Sequence, residues 1–148
     1  MKPRDCWPVL AKKALEGVET AQAKVTLARG KVEQLETSRN KINEMMTEYK
    51  EQSNTIQVRL HSMAETSNYR HFITQLQILL KQAEQQISQA QMELVDAQSE
   101  LMQAELKKMK MDALVEQDLA NVRRWERKME QKQMDALGVT LYNLRAQS

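Results

Sequence analysis

The sequence predicts an all-α protein: two long helices in an antiparallel coiled-coil hairpin, the second helix longer and overhanging at its C-terminal end. Three observations lead there. Of the 148 residues, 28% are charged and only 4% aromatic, with three Gly and two Pro. That is too little bulk for a globular α/β interior but enough for a seam two helices wide. Apolar residues recur about every 3.5 positions in two separate stretches, the spacing that holds a narrow stripe of one helix against another. Between the stretches the repeat loses phase, where Ser62, Thr66, Ser67 and Asn68 gather.

Helix one is expected over residues 8–60. Met1 to Trp7 reads as an irregular lead, and Pro8 suits the first helical position because its missing N–H has no partner there. With the seam positions labelled a and d, the series runs Ala11, Ala14, Val18, Ala21, Val25, Ala28, Val32, Leu35, Arg39, Ile42, Met46, Tyr49, Ser53 and Ile56. Only Arg39 and Ser53 interrupt it. Gly17 and Gly30 fall at g and f, off the seam, where each costs up to about 1 kcal/mol of helix propensity without spoiling the packing.

The turn is expected within residues 60–68, tightest at Leu60–His61. Ser62 and Glu65 have the spacing of a capping box, which makes Ser62 the expected cap of helix two. Thr66, Ser67 and Asn68 form a second, weaker stop signal, because short polar side chains compete for helix hydrogen bonds. Helix two is expected over 62–138. Its series is Ile73, Leu76, Leu80, Ala83, Ile87, Ala90, Leu94, Ala97, Leu101, Ala104, Lys108, Met111, Val115, Asp118, Val122, Trp125, Met129, Lys132, Ala136 and Val139. Lys108, Asp118 and Lys132 are its breaks. Gly138 reads as the helix end, with residues 139–148 a frayed tail.

Packing selects the register. With the turn at His61, facing residues have numbers adding to about 122, and a positions meet d positions. Val32 then faces Ala90, Val25 faces Ala97, Ala28 faces Leu94 and Ala21 faces Leu101, small against large along the seam. A turn one heptad later, at Met63–Ala64, would put Ala21 against Lys108. In the favoured register the start of helix one lies beside Met111 to Val122, and everything from Trp125 onward has no partner in the chain.

The residue inventory argues against catalysis. His61 and His71 do not share a helical face, the single Cys6 has no clustered ligands around it, and no glycine-rich phosphate loop is present. No metal or cofactor is expected. Lys107, Lys108, Lys110, Arg123, Arg124, Arg127, Lys128 and Lys132 suggest a basic surface. However, Glu105, Asp112, Glu116, Asp118, Glu126, Glu130 and Asp135 are interleaved with them, a pattern of intrahelical pairing rather than nucleic-acid binding. A net charge of +2 adds no overall field. No apolar run approaches the roughly 18 residues of a membrane span and Met1–Val9 lacks a signal-peptide core, so a cytoplasmic protein without membrane insertion is expected.

Two surfaces stand out as binding candidates. Met45, Phe72 and Leu79 occupy g positions, which share one edge of an antiparallel pair, beside Tyr49 and Leu76 in the seam. They form either a docking strip or a locally thicker core. In the overhang, Trp125 sits among Arg123, Arg124, Arg127 and Lys128, aromatic and guanidinium groups of the kind that anchor interfaces. Trp125 could instead pack on Trp7.

Three segments carry a family resemblance: Tyr69-Arg70-His71-Phe72-Ile73 followed by Leu76, Met129-Glu130-Gln131-Lys132-Gln133-Met134-Asp135, and an Ala-rich first helix reaching Glu48-Tyr49. With the unequal hairpin they resemble the FliJ family, coiled-coil components of the bacterial flagellar type III export apparatus. The start departs from the family pattern, with Trp7 and Pro8 where many members have an early Phe. The resemblance implies a non-enzymatic stalk, similar in shape to the central subunit of rotary ATPases. Its open end would enter the hexameric export ATPase and promote its assembly, while the coil bridges to the export gate at the cytoplasmic face of the apparatus and handles export chaperones. Carried onto this chain, Arg123, Arg124, Trp125, Arg127 and Lys128 would face the ATPase. Met45, Tyr49, Phe72, Leu76 and Leu79 would face the cytoplasmic linker of the gate. The equivalent stalk of a virulence-type injectisome, and a coiled-coil scaffold with a nucleic-acid-binding basic tip, are the alternatives.

Overall fold

A computed structural model describes residues 3–4, 6–57 and 63–147, with side-chain surroundings for all of these except 55–57 and 63–65. Two helices, α1 (Cys6–Gln57) and α2 (Met63–Gln147), pack against each other, and no strand occurs among the described residues. The expected tight turn at Leu60–His61 and its cap at Ser62 lie outside the described residues. The chain divides into two compact units, Thr20–Leu101 and the pair of segments Met1–Glu19 and Met102–Ser148.

The heptad frame is the organising rule. Every buried residue among those described is a predicted a or d position: Ala14, Val18, Ala21, Val25, Val32 and Ser53 on α1, and Leu76, Ala83, Ile87, Ala90, Ala97 and Val122 on α2. Small residues disappear most completely, with Ala90 1% and Ala97 2% exposed. Leu35, Ile42, Leu80, Leu94 and Leu101 stay half-buried. A seam two helices wide has no third layer to cover the ends of long side chains, so volume at a or d is traded against exposure.

Within Thr20–Leu101 the register follows from two ion pairs. Lys24 Nζ lies 2.8 Å from Glu100 Oε2, and Lys31 Nζ lies 3.1 Å from Glu93 Oε2. All four are g residues, and these are the g-to-g partners that the Val25–Ala97 and Ala28–Leu94 layers require. The partner number falls as the α1 number rises, so the two helices run antiparallel. One heptad away, Lys24 would have faced Lys107. Both pairs are half-exposed, so each contributes less than about 1 kcal/mol and serves the register more than the stability.

Within the other unit, the start of α1 is held by α2. The Arg4 backbone amide donates to Asp118 Oδ2 at 2.7 Å, and the Trp7 amide donates to the Arg4 carbonyl at 3.3 Å. The first turn of α1 contains no acidic residue. Asp118 supplies that charge from the neighbouring helix, where an anion is favoured by the unpaired amides and the helix dipole. The seam position that looked like a break is therefore an acceptor. Lys108, another break, is half-buried and pairs with Asp112 at 2.8 Å one turn on.

Two boundaries differ from expectation. The first helix begins at Cys6 rather than Pro8, which costs nothing because the amide missing at Pro8 still falls in the first turn, where it has no intrahelical acceptor. Residues 63–68, where the expected turn region overlaps helix two, are helical, so the weaker stop signal at Thr66, Ser67 and Asn68 does not interrupt the helix; short polar side chains are well tolerated in an opening turn. The largest correction is at the other end, because α2 does not stop at Gly138 and residues 139–147 are not frayed but helical. Gly138 has no positive φ, so it does not form a left-handed cap, and a propensity cost of about 1 kcal/mol slows a helix without ending it.

Candidate partner-docking surfaces

The first surface belongs to Thr20–Leu101. Tyr49, at d on α1, stacks on Tyr69 with ring centroids 5.2 Å apart and planes 14° from parallel, and meets Phe72 at 4.4 Å in a tilted arrangement. Tyr69 falls at d if the α2 frame is carried back one step from Ile73, and its facing a position is Ser53. A small seam residue there leaves room for the ring, which accounts for a buried serine at 8% exposure. Offset and tilted aromatic pairs contribute about 0.5–1.5 kcal/mol each beyond the area they bury. Tyr69 entered the sequence reading only as part of the family-resemblance segment and was not placed in the seam or the strip, although one further step of the repeat would have reached it.

Beside this cluster, Met45 and Leu79 face each other across the g edge, the same edge that carries the Lys24–Glu100 and Lys31–Glu93 pairs. They are 49% and 48% exposed. Phe72 and Tyr49 are half-buried, and Leu76 is buried at 4%. The five predicted residues are thus brought together, but in two roles. Leu76 is part of the seam and supports the strip from beneath, whereas Met45, Leu79 and the outer parts of Phe72 and Tyr49 offer apolar surface to solvent.

The second surface belongs to the other unit. Val122, 6% exposed, is the last buried residue of α2, and every residue from Arg123 to Gln147 is exposed. Arg123, Arg124, Arg127 and Lys128 stand on this stretch with Trp125 (41% exposed) and Met129 among them. Trp7 does not cover Trp125. It is half-buried beside Leu114, Gln117, Asp118 and Asn121, and no Trp7–Trp125 ring pair exists among the described residues. The bare stretch also carries Met134, Leu137, Leu141, Tyr142 and Leu144, each more than half exposed. Of these, Met134 was expected to project without a partner, whereas Leu141, Tyr142 and Leu144 fell in the tail expected to fray and were not considered as surface.

Residues 9–147 match the family model described as flagellar FliJ protein. The chain belongs to the FliJ family. No curated protein and no solved structure gives a significant match. The matched span takes in both surfaces of this FliJ protein and starts after Trp7 and Pro8. Membership makes the chain a component of the flagellar export apparatus, in a family of non-enzymatic proteins. Among the described residues no helix is long and apolar enough to cross a membrane.

Proposed function

We propose that this FliJ protein is a stalk and linker that couples the hexameric export ATPase to the export gate. In this reading the bare C-terminal stretch of α2 docks in the ATPase ring and promotes its assembly. The aromatic strip receives the cytoplasmic linker of the gate, and the coiled coil handles export chaperones at the cytoplasmic face of the apparatus. The observation that carries the reading is the stretch from Arg123 to Gln147, helical yet without a buried residue. A soluble helix this long with Trp, Met and Leu exposed is built to be covered by something else. The aromatic strip supports the gate half of the reading, since exposed Met45 and Leu79 add apolar surface beyond what the seam requires.

Each half has its own test. Trp125→Ala with Arg127→Ala should reduce stimulation of the export ATPase by tenfold or more while the helix content is unchanged; full stimulation would refute the ATPase half. Phe72→Ser with Leu79→Ser should abolish binding to the cytoplasmic domain of the gate, and binding at wild-type strength would refute the other half.

A further inference from the structure

The exposed end of α2 contains a second apolar stripe that does not follow the seam frame. Met134, Leu137, Leu141 and Leu144 recur at spacings of three, four and three, which places them on one face of the helix. They are 71%, 61%, 53% and 59% exposed. The a/d series has meanwhile decayed to Lys132, Ala136 and Val139, so the tail presents a new face rather than a continuation of the old one.

We propose that this stripe pairs with the same stripe of a second copy, forming an antiparallel two-helix contact with its two-fold axis at Val139. The spacing reads the same from either end. Antiparallel pairing therefore sets Met134 against Leu144 of the second copy and Leu137 against Leu141, giving four apolar layers with no polar residue in them. The flanks agree. Gln133 meets Gln147, Thr140 meets Thr140, and Gly138 leaves one edge beside the axis without a side chain, so no like charges face each other.

Charge also decides the direction. The same helical face carries Arg123, Arg127 and Glu130 just before the stripe. A parallel pair would stack each of these on its own copy, whereas the antiparallel register leaves them outside the overlap. The overlap spans 134 to 144, about 16 Å of helix, far less than a permanent interface buries. The dimer is therefore reversible and appears with concentration. This inference does not rest on the ATPase or gate reading, and its test contains neither partner.

The experiment is sedimentation equilibrium of the full chain with Cys6→Ser, which removes the exposed thiol as a source of cross-linking. The apparent mass should rise from monomer toward dimer with concentration. Leu137→Ser with Leu141→Ser should shift the midpoint at least tenfold higher, with circular dichroism showing that the seam helices remain. Val139→Asn, off the stripe, should leave the midpoint within twofold. In the same background, a mixture of Gln133→Cys and Gln147→Cys chains should be joined by a short bismaleimide, since antiparallel pairing brings these residues together and a parallel pair separates them by about 21 Å. A monomer at every concentration, a dimer indifferent to the Leu substitutions, or cross-linking only of like positions would each overturn the proposal. So would a stripe that binds lipid vesicles while the chain stays monomeric.

Discussion

Enlarging Ala90 to leucine tests the seam at its tightest point. Ala90 is 1% exposed, and the residue facing it in the register set by the Lys24–Glu100 and Lys31–Glu93 pairs is Val32, 8% exposed. Ala90→Leu forces three more carbons into a closed layer, which costs about 1–3 kcal/mol in overpacking. Val32→Ala removes two methyl groups and leaves a cavity, a loss of about 2 kcal/mol. Together the two changes nearly conserve volume. The double variant should therefore be at least about 1 kcal/mol more stable than the sum of the single effects predicts. Guanidinium unfolding followed by far-ultraviolet circular dichroism, at equal protein concentration, reads all four proteins. Strict additivity would refute the register. Rescue by Arg39→Ala instead would place the turn one heptad later, because Arg39 faces Ala90 in that arrangement.

Asp118→Ala removes the acceptor of the Arg4 amide and should cost about 0.5–2 kcal/mol, seen as faster hydrogen exchange in the first turn of α1 while Thr20–Leu101 keeps its protection. Gly17→Ala and Gly30→Ala should each stabilise by up to about 1 kcal/mol, because a methyl group at either position meets nothing within 4 Å beyond its chain neighbours and the local backbone of its own helix. A double-mutant cycle on Lys24 and Glu100 should return a coupling of about 0.2–1 kcal/mol that fades with added salt, as expected for a pair exposed at 60% and 53%. A coupling several times larger would mean that the pair is more enclosed than the structure has it.

The parts of the fold that were legible are those for which local pattern and packing point the same way. The a/d series named every buried residue among those described, and setting small residues against large ones selected the register that the g-edge ion pairs satisfy. Asp118 and Ser53 looked like faults in that series because the repeat registers only polarity. Asp118 needs the neighbouring chain segment before it becomes an acceptor, and Ser53 needs the Tyr69 ring before its small size makes sense. The end of α2 was misread for a different reason. Gly138 is a common helix terminator, and with the chain taken to fray there, Met134, Leu137, Leu141 and Leu144 were never placed on a common face. Of the candidate surfaces, the aromatic strip was legible from its g positions, except for Tyr69. That Leu76 lies beneath the strip rather than on it follows from its d position.

The hairpin requires α1 to fold back on α2 within one chain. Spin labels at Gln22 and Gln98, facing e positions within Thr20–Leu101, measure this directly by pulsed dipolar spectroscopy in the Cys6→Ser background. An intrachain hairpin gives a separation below roughly 20 Å, from helix axes about 8–10 Å apart with the reach of two labels added, and the same distance after dilution with excess unlabelled chain. A separation beyond about 40 Å, or a short distance that disappears on dilution, would show that the helices pair between chains or not at all.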